Sequence, residues 1–204
     1  MTSLLIATQN KAKYRELQQL ISDLPFALMS LEDVPKLKPV PETGATFIEN
    51  AKLKAAAYAI QSGLLTLADD SGLEVDALGG APGLLSARYA GEGATDKERA
   101  DKVLAELSNL TASERSARFL TAVALAEPTG RILNVSVGTC EGRIATSPRG
   151  SGGFGYDPIF VPVGFDLTFA ELAPGIKNQI SHRKQALRKA CEFLRNLTTD
   201  SAPR

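Results

Sequence analysis

The stretch that most constrains this chain is Leu67 to Gly91, LADDSGLEVDALGGAPGLLSARYAG, in which a short apolar run closes on Asp69-Asp70 and is followed at once by Ser71-Gly72. The pattern predicts a buried strand whose C-terminal end delivers two acids to a crevice, the usual ligand position in an α/β sheet. Adjacent carboxylates repel each other unless a cation or a shared proton lies between them. Mg2+ answers that demand, because it takes oxygen ligands and prefers one or two carboxylates together with substrate phosphates. A plain turn uses the same Asp, Ser and Gly residues. However, the second loop Gly79-Gly80-Ala81-Pro82-Gly83 and the cation in Ser86-Ala87-Arg88-Tyr89 are more than a turn requires.

With 204 residues the chain is long enough for one well-buried core. The expectation is a single α/β domain over residues 1–197 with a flexible tail at 198–204. Lys plus Arg and Asp plus Glu both total 23, which excludes an electrostatic case for nucleic acid or an anionic membrane as partner. Phosphate binding must therefore be local. Cys140 and Cys191 are too few for a disulfide framework, and one histidine, His182, excludes the usual zinc constellations. The apolar start Ser3 to Ala7 is short and runs into polar residues, so a soluble, cytoplasmic protein is expected.

In chain order, Leu4 to Ala7 reads as a strand, and Thr8-Gln9-Asn10-Lys11-Ala12-Lys13 turns it into a helix carrying Leu17, Leu20 and Ile21. A helix start with these donors suits phosphate; taken in isolation, the commoner explanation of such a stretch is a capped helix with solvated lysines. Phe26 to Ser30 reads as a second strand and Pro35 to Pro41 as a loop. Glu42 then lies in a loop, free to reach a metal, before a helix over Ala51 to Gln61 capped by Thr46 with Glu49 in a capping box. Glu49, Asn50 and Lys54 fit cap or surface positions as well as functional ones. Thr95 to Leu107, begun by another capping box, reads as scaffold. Arg118 to Ala126 and Ile132 to Thr139 predict an antiparallel hairpin and hence a mixed sheet. In Ser147 to Pro158, four glycines surround Phe154, so backbone can approach a ligand while the ring offers a stacking face for a base. Ile159 to Pro162 reads as a strand. Lys177, Ser181, His182 and Arg183 gather donors near the start of a last helix ending near Leu197.

Six segments taken together resemble the inosine triphosphate pyrophosphatase family, in order and from about residue 4 to residue 195. They are Thr8-x-Asn10-x-x-Lys13, the run from Glu42-Thr43-Gly44 to Glu49-Asn50-Ala51, Ala68-Asp69-Asp70-Ser71-Gly72-Leu73, Gly79-Gly80-Ala81-Pro82-Gly83, Gly153-Phe154-Gly155-Tyr156-Asp157-Pro158 and Ser181-His182-Arg183. The resemblance implies a long mixed twisted sheet with two lobes flanking a central cleft. It also implies a homodimeric, Mg2+-dependent hydrolase, with one or more ions per subunit, that converts ITP, dITP and XTP to the monophosphate and pyrophosphate and so keeps them out of DNA and RNA. By the same resemblance Thr8, Gln9, Asn10, Lys11, Ala12 and Lys13 hold the phosphates. Glu42 and Asp70 serve the metal, with Asp69 a further candidate ligand, and Asp70 is the general base. Ser71, Phe154, Gly155, Tyr156, Asp157, Lys177, His182 and Arg183 contact the substrate. Gln9 departs from the glycine common at that position.

Residue chemistry is consistent with this reading, since cleavage between the α and β phosphates needs charge neutralisation, a positioned water and donors on the departing pyrophosphate. Hypoxanthine and xanthine carry an acceptor oxygen where adenine carries a donor amine, so Arg183, which only donates, is expected to favour them. The alternative is a module that binds or senses a purine triphosphate without hydrolysing it. A third reading, an aspartyl-phosphate enzyme, predicts orthophosphate as product.

Overall fold

The parallel pairing of two short apolar strands begins the architecture. In the computed structural model, which describes residues 2–200, β1 (Thr2–Ile6) lies between β2 (Phe26–Ser30) and β3 (Leu65–Val75), parallel to both, with Leu4 opposite Leu28 and Leu65. The remaining strands are β4 (Ser116–Ala126), β5 (Ile132–Ile144) and β6 (Phe160–Pro162), and the sheet order is β2-β1-β3-β4-β5-β6. Because β5 and β6 run antiparallel while β1 runs parallel to β2 and β3, the sheet is mixed, as expected. The helices are α1 (Lys11–Leu20), α2 (Phe47–Ser62), α3 (Asp96–Glu106), α4 (Pro174–Ile180) and α5 (His182–Asp200). Among the described residues, no helix is long and apolar enough to cross a membrane.

The chain divides into two compact units, each assembled from separate stretches. The first contains the residues up to Asp70, Thr121–Gly138 and Arg183 onward. Here strand alternation decides the packing: Leu4 and Ile6 join Leu17, Ile21, Leu67, Val123, Leu125 and Leu187 in one cluster, while Leu5 and Ala7 join another. That second cluster is built mostly of alanine, with Ala51, Ala55 and Ala59 of α2 against Ala122, Ala124 and Ala126 of β4. Small side chains let helix and sheet approach closely, which explains why α2 is alanine-rich.

The second unit contains Ser71–Leu120 and Thr139–His182. Its core is aromatic, with Phe119, Phe160 and Phe169 in mutual contact and Leu73, Val75, Val103 and Leu107 packed around them.

The expected strand end is corrected. The acids do not end their strand: β3 continues through Ser71-Gly72 to Val75 because Leu73 and Val75 are fully buried, so Asp69 and Asp70 sit at its middle. The last helix, α5, starts at His182 as expected, and a short helix, α4, precedes it and carries Lys177, the chain turning extended at Ser181 between them. The helix α5 runs to Asp200, and residues 201–204 of the expected tail lie outside the described residues. Around Glu49 the capping box is half-formed: Thr46 accepts the Glu49 N–H at 3.1 Å, but the Glu49 carboxylate takes the N–H of Ala45 instead.

Candidate functional site

In the first unit, the parallel register of β1 and β3 brings the start of α1 beside the acids, with the Ala7 N–H donating to the Leu67 carbonyl at 2.8 Å. Asn10 caps α1, and its side-chain oxygen accepts from the N–H groups of Ala12 at 2.9 Å and Lys13 at 3.1 Å. Thr8 accepts from the Asn10 N–H. The capped-helix reading is therefore right for the backbone and wrong for one lysine. Lys11 makes an exposed pair with Glu32, whereas Lys13 turns inward and lies 3.0 Å from Asp69 Oδ2.

Asp69 is 1 % exposed and faces Lys13 and, at 4.0 Å, the Nε of Arg183. Burial works against its ionisation, but Lys13, Lys54 and Arg183 together hold its carboxyl below the usual range. Its neighbour titrates the other way. Burial pushes the Asp70 carboxyl up, with the Glu42 charge adding to the rise and Lys54 opposing it. Asp70 Oδ2 accepts from the Asn50 amide at 3.1 Å, and Oδ1 lies 3.5 Å from Lys54 Nζ. Lys54 also donates to Glu42 at 2.6 Å. Burial favours neutral Lys54, yet Asp69, Asp70 and Glu42 outweigh it and keep the ammonium charged.

Gly44 ties the Glu42 loop to α2. Its N–H donates to Asn50 Oδ1 at 2.7 Å, and a Cβ there would stand 2.6 Å from Glu49 Cβ and 2.8 Å from that oxygen. Lys54 and Asn50, whose sequence context fits cap and surface as well as functional positions, are brought to the Asp70 carboxylate. The signal was their spacing: Asn50, Lys54 and Tyr58 lie in one helical column beside the buried alanines.

Glu42 and Asp70 converge on one cation, Lys54, within 3.5 Å of each. Oxygen donors arranged around a positive charge fit a hard divalent ion. Among the described residues, no set of three or more His, Cys, Asp or Glu side chains is arranged to hold a metal. Two carboxylates match what Mg2+ takes from a protein when substrate oxygens supply its remaining ligands.

In the second unit, the glycine-rich segment is held from within. Asp157 Oδ2 accepts from the Phe154 N–H at 2.8 Å and from Lys177 Nζ at 2.6 Å, and that ammonium lies 5.4 Å from the Phe154 ring centre. The Tyr156 hydroxyl donates to the Ser86 carbonyl at 2.8 Å, and burial raises its pKa, so this side chain anchors the segment. His182, 4 % exposed, stacks on Phe119 at 4.7 Å between ring centres. Ser71 is half-buried on β3.

Three of the four expected donors have partners within their own units. Lys177 pairs with Asp157, His182 stacks on Phe119, and Arg183, in the first unit, pairs with Glu16. The buried Arg183 guanidinium faces two acids of the first unit, Glu16 and, at 4.0 Å, Asp69.

The model of the Ham1 family matches residues 4–193. A dITP/XTP pyrophosphatase of Oceanobacillus iheyensis is 45 % identical over 198 residues, covering 97 % of this chain and all of that protein. One from Geobacter sulfurreducens is 50 % identical over 187 residues, 92 % of this chain and 94 % of that one. Among solved structures, a HAM1 protein of Coxiella burnetii superposes with a TM-score of 0.85 at 46 % identity, covering 96 % of this chain and 100 % of that one. A nucleoside-triphosphatase / dITP/XTP pyrophosphatase of Mycobacterium abscessus does so with a TM-score of 0.77 at 44 % identity, covering 93 % and 98 %. With residues 4–193 matched by the family model and nearly the whole chain matched in both sequence and structure, the chain belongs to the Ham1 family.

Proposed function

We propose that the protein is a Mg2+-dependent pyrophosphatase that hydrolyses ITP, dITP and XTP to the nucleoside monophosphate and pyrophosphate, and so removes these nucleotides before they enter DNA or RNA. The observation that carries this reading is the buried Asp70 carboxylate, flanked by Lys54 and Asn50 and raised toward the range of a working general base. The names of the relatives, dITP/XTP pyrophosphatase, supply the substrate class.

In the reaction, a water oxygen bonds to the α phosphorus while Asp70 takes the water's proton. The bond from that phosphorus to the bridging oxygen breaks, and pyrophosphate departs with the electron pair. Lys54 offsets the charge that builds up beside Asp70, and Lys13 and Asn10 supply donors at the start of α1. Mg2+, held by Glu42, Asp70 and substrate oxygens, would neutralise phosphate charge and acidify the attacking water. Phe154 offers its ring to the purine, and Lys177 and His182 contribute donors on the base side. We place the protein in the cytoplasm as a homodimer, in line with the resemblance.

The deciding experiment incubates the protein with Mg2+ and ITP, dITP, XTP, GTP or ATP, quantifying pyrophosphate and orthophosphate separately, with Asp70→Asn alongside. Pyrophosphate from ITP, dITP and XTP alone, falling about 10²–10⁴-fold in the variant, is expected. Orthophosphate as the product, or binding without turnover, would overturn the reading.

A further inference from the structure

Phe154 is flanked by two peptide groups, and each presents its N–H to a different carboxylate. The Phe154 N–H donates to Asp157 at 2.8 Å, and the next one, of Gly155, donates to Asp96 Oδ2 at 2.6 Å. Fixing the peptide planes on both sides of one Cα fixes that residue's φ and ψ, and so the direction in which its side chain leaves the backbone. Glycine at 153 and 155, with φ of +74° and +64°, makes the segment pliable on either side, so the two carboxylates supply the rigidity that the backbone lacks.

Asp96 is the first residue of α3, but it does not cap the helix. Thr95 and Glu98 satisfy each other's backbone N–H groups, at 3.2 Å and 2.7 Å, in a complete capping box. This leaves the Asp96 carboxylate for the aromatic segment. Arg99, one turn along α3, holds the other oxygen of Asp96 and is itself fixed to the carbonyls of Ala87, at 3.1 Å, and Ala94. The sequence around Thr95 to Leu107 reads as scaffold, with nothing to connect it to a loop some sixty positions away; only the 2.6 Å contact does so.

We infer that Asp96 is a positioning residue for nucleotide binding: by accepting the Gly155 N–H it fixes the backbone of Phe154 and thus the plane its ring offers to the purine. The inference rests on the reading of Phe154 as the stacking ring. Charge-assisted hydrogen bonds of this kind are about twice as strong as neutral ones, which suits a partly exposed contact that must order a glycine-rich loop.

The test uses the full chain with Asp96→Ala and Asp96→Asn, both of which retain the Thr95–Glu98 box. For Asp96→Ala, amide hydrogen exchange in a peptide spanning residues 150–157 should quicken about tenfold, and KM for dITP should rise about tenfold with kcat within about twofold. Asp96→Asn, whose side-chain oxygen still accepts an N–H, should return both values close to those of the parent. Unchanged exchange, unchanged KM despite faster exchange, or no recovery in Asp96→Asn would each overturn the inference. If the parent protein hydrolyses no dITP, the proposed activity fails by itself. The exchange data and the Kd for dITP measured by calorimetry then decide the role of Asp96, an unchanged Kd overturning it.

Discussion

The ammonium of Lys54 stands 3.5 Å from Asp70 Oδ1 while donating to Glu42 at 2.6 Å, so one buried cation serves two carboxylates. Among the charges around Asp70, Lys54 is the strongest one holding its pKa down. Lys54→Met should therefore raise the Asp70 pKa further in chelator-treated protein, as read by carbon-13 carboxyl titration. With Mg2+ present, kcat should fall by about 10²-fold, because a charge placed in a dry site is lost. Unchanged titration would break the link between these two residues.

Asp69 and Asp70 are neighbours with opposite shifts, so they should affect stability in opposite directions. Asp69 has a folded-state pKa below the unfolded value; its contribution is present above the unfolded value and is lost as pH falls through the folded one. Asp69→Asn leaves Lys13 and Arg183 without their carboxylate and should cost about 3 kcal/mol at pH 7. Asp70 has a raised folded-state pKa, so its ionised form opposes folding above that value, and the penalty is relieved as pH falls. Asp70→Asn should raise the metal-free Tm at pH 7, a gain in stability at the expense of the chemistry. Thermal unfolding in chelator checks both signs.

Gly153 has φ of +74°, and a Cβ there would stand 1.9 Å from Asp157 Oδ2 and 3.1 Å from Lys177 Nζ. Gly153→Ala should thus force the segment off its Asp157–Lys177 support. A strain of about 1–3 kcal/mol converts to a rise of about 5- to 150-fold in KM for dITP. Steady-state kinetics with kcat and KM separated provides the check.

Phe154 is half-buried with an ammonium 5.4 Å from its ring centre, and the proposed function gives that ring the role of stacking on the base. Phe154→Ala should weaken nucleotide binding by about 1–3 kcal/mol, and Phe154→Tyr should restore it, because stacking needs the ring alone. Calorimetric titration with dITP in the Asp70→Asn background measures this without turnover.

Much of the local structure was legible in the amino-acid sequence. Caps at Thr46 and Thr95 set helix starts, the apolar run Leu4-Leu5-Ile6-Ala7 marked a strand, and the motifs of residues 4 to 195 anticipated the family matched over 4–193. These features depend on neighbours within a few positions, which periodicity and capping chemistry can read. Tertiary structure alone decided the partners of the charges. That Lys13 serves Asp69, that Lys54 joins Glu42 to Asp70, that Arg183 is committed to Glu16, and that Asp96 holds Gly155 are all contacts between distant positions. A charged side chain is long and finds its partner through burial and the Coulomb field of the folded chain, neither of which exists until the strands have paired.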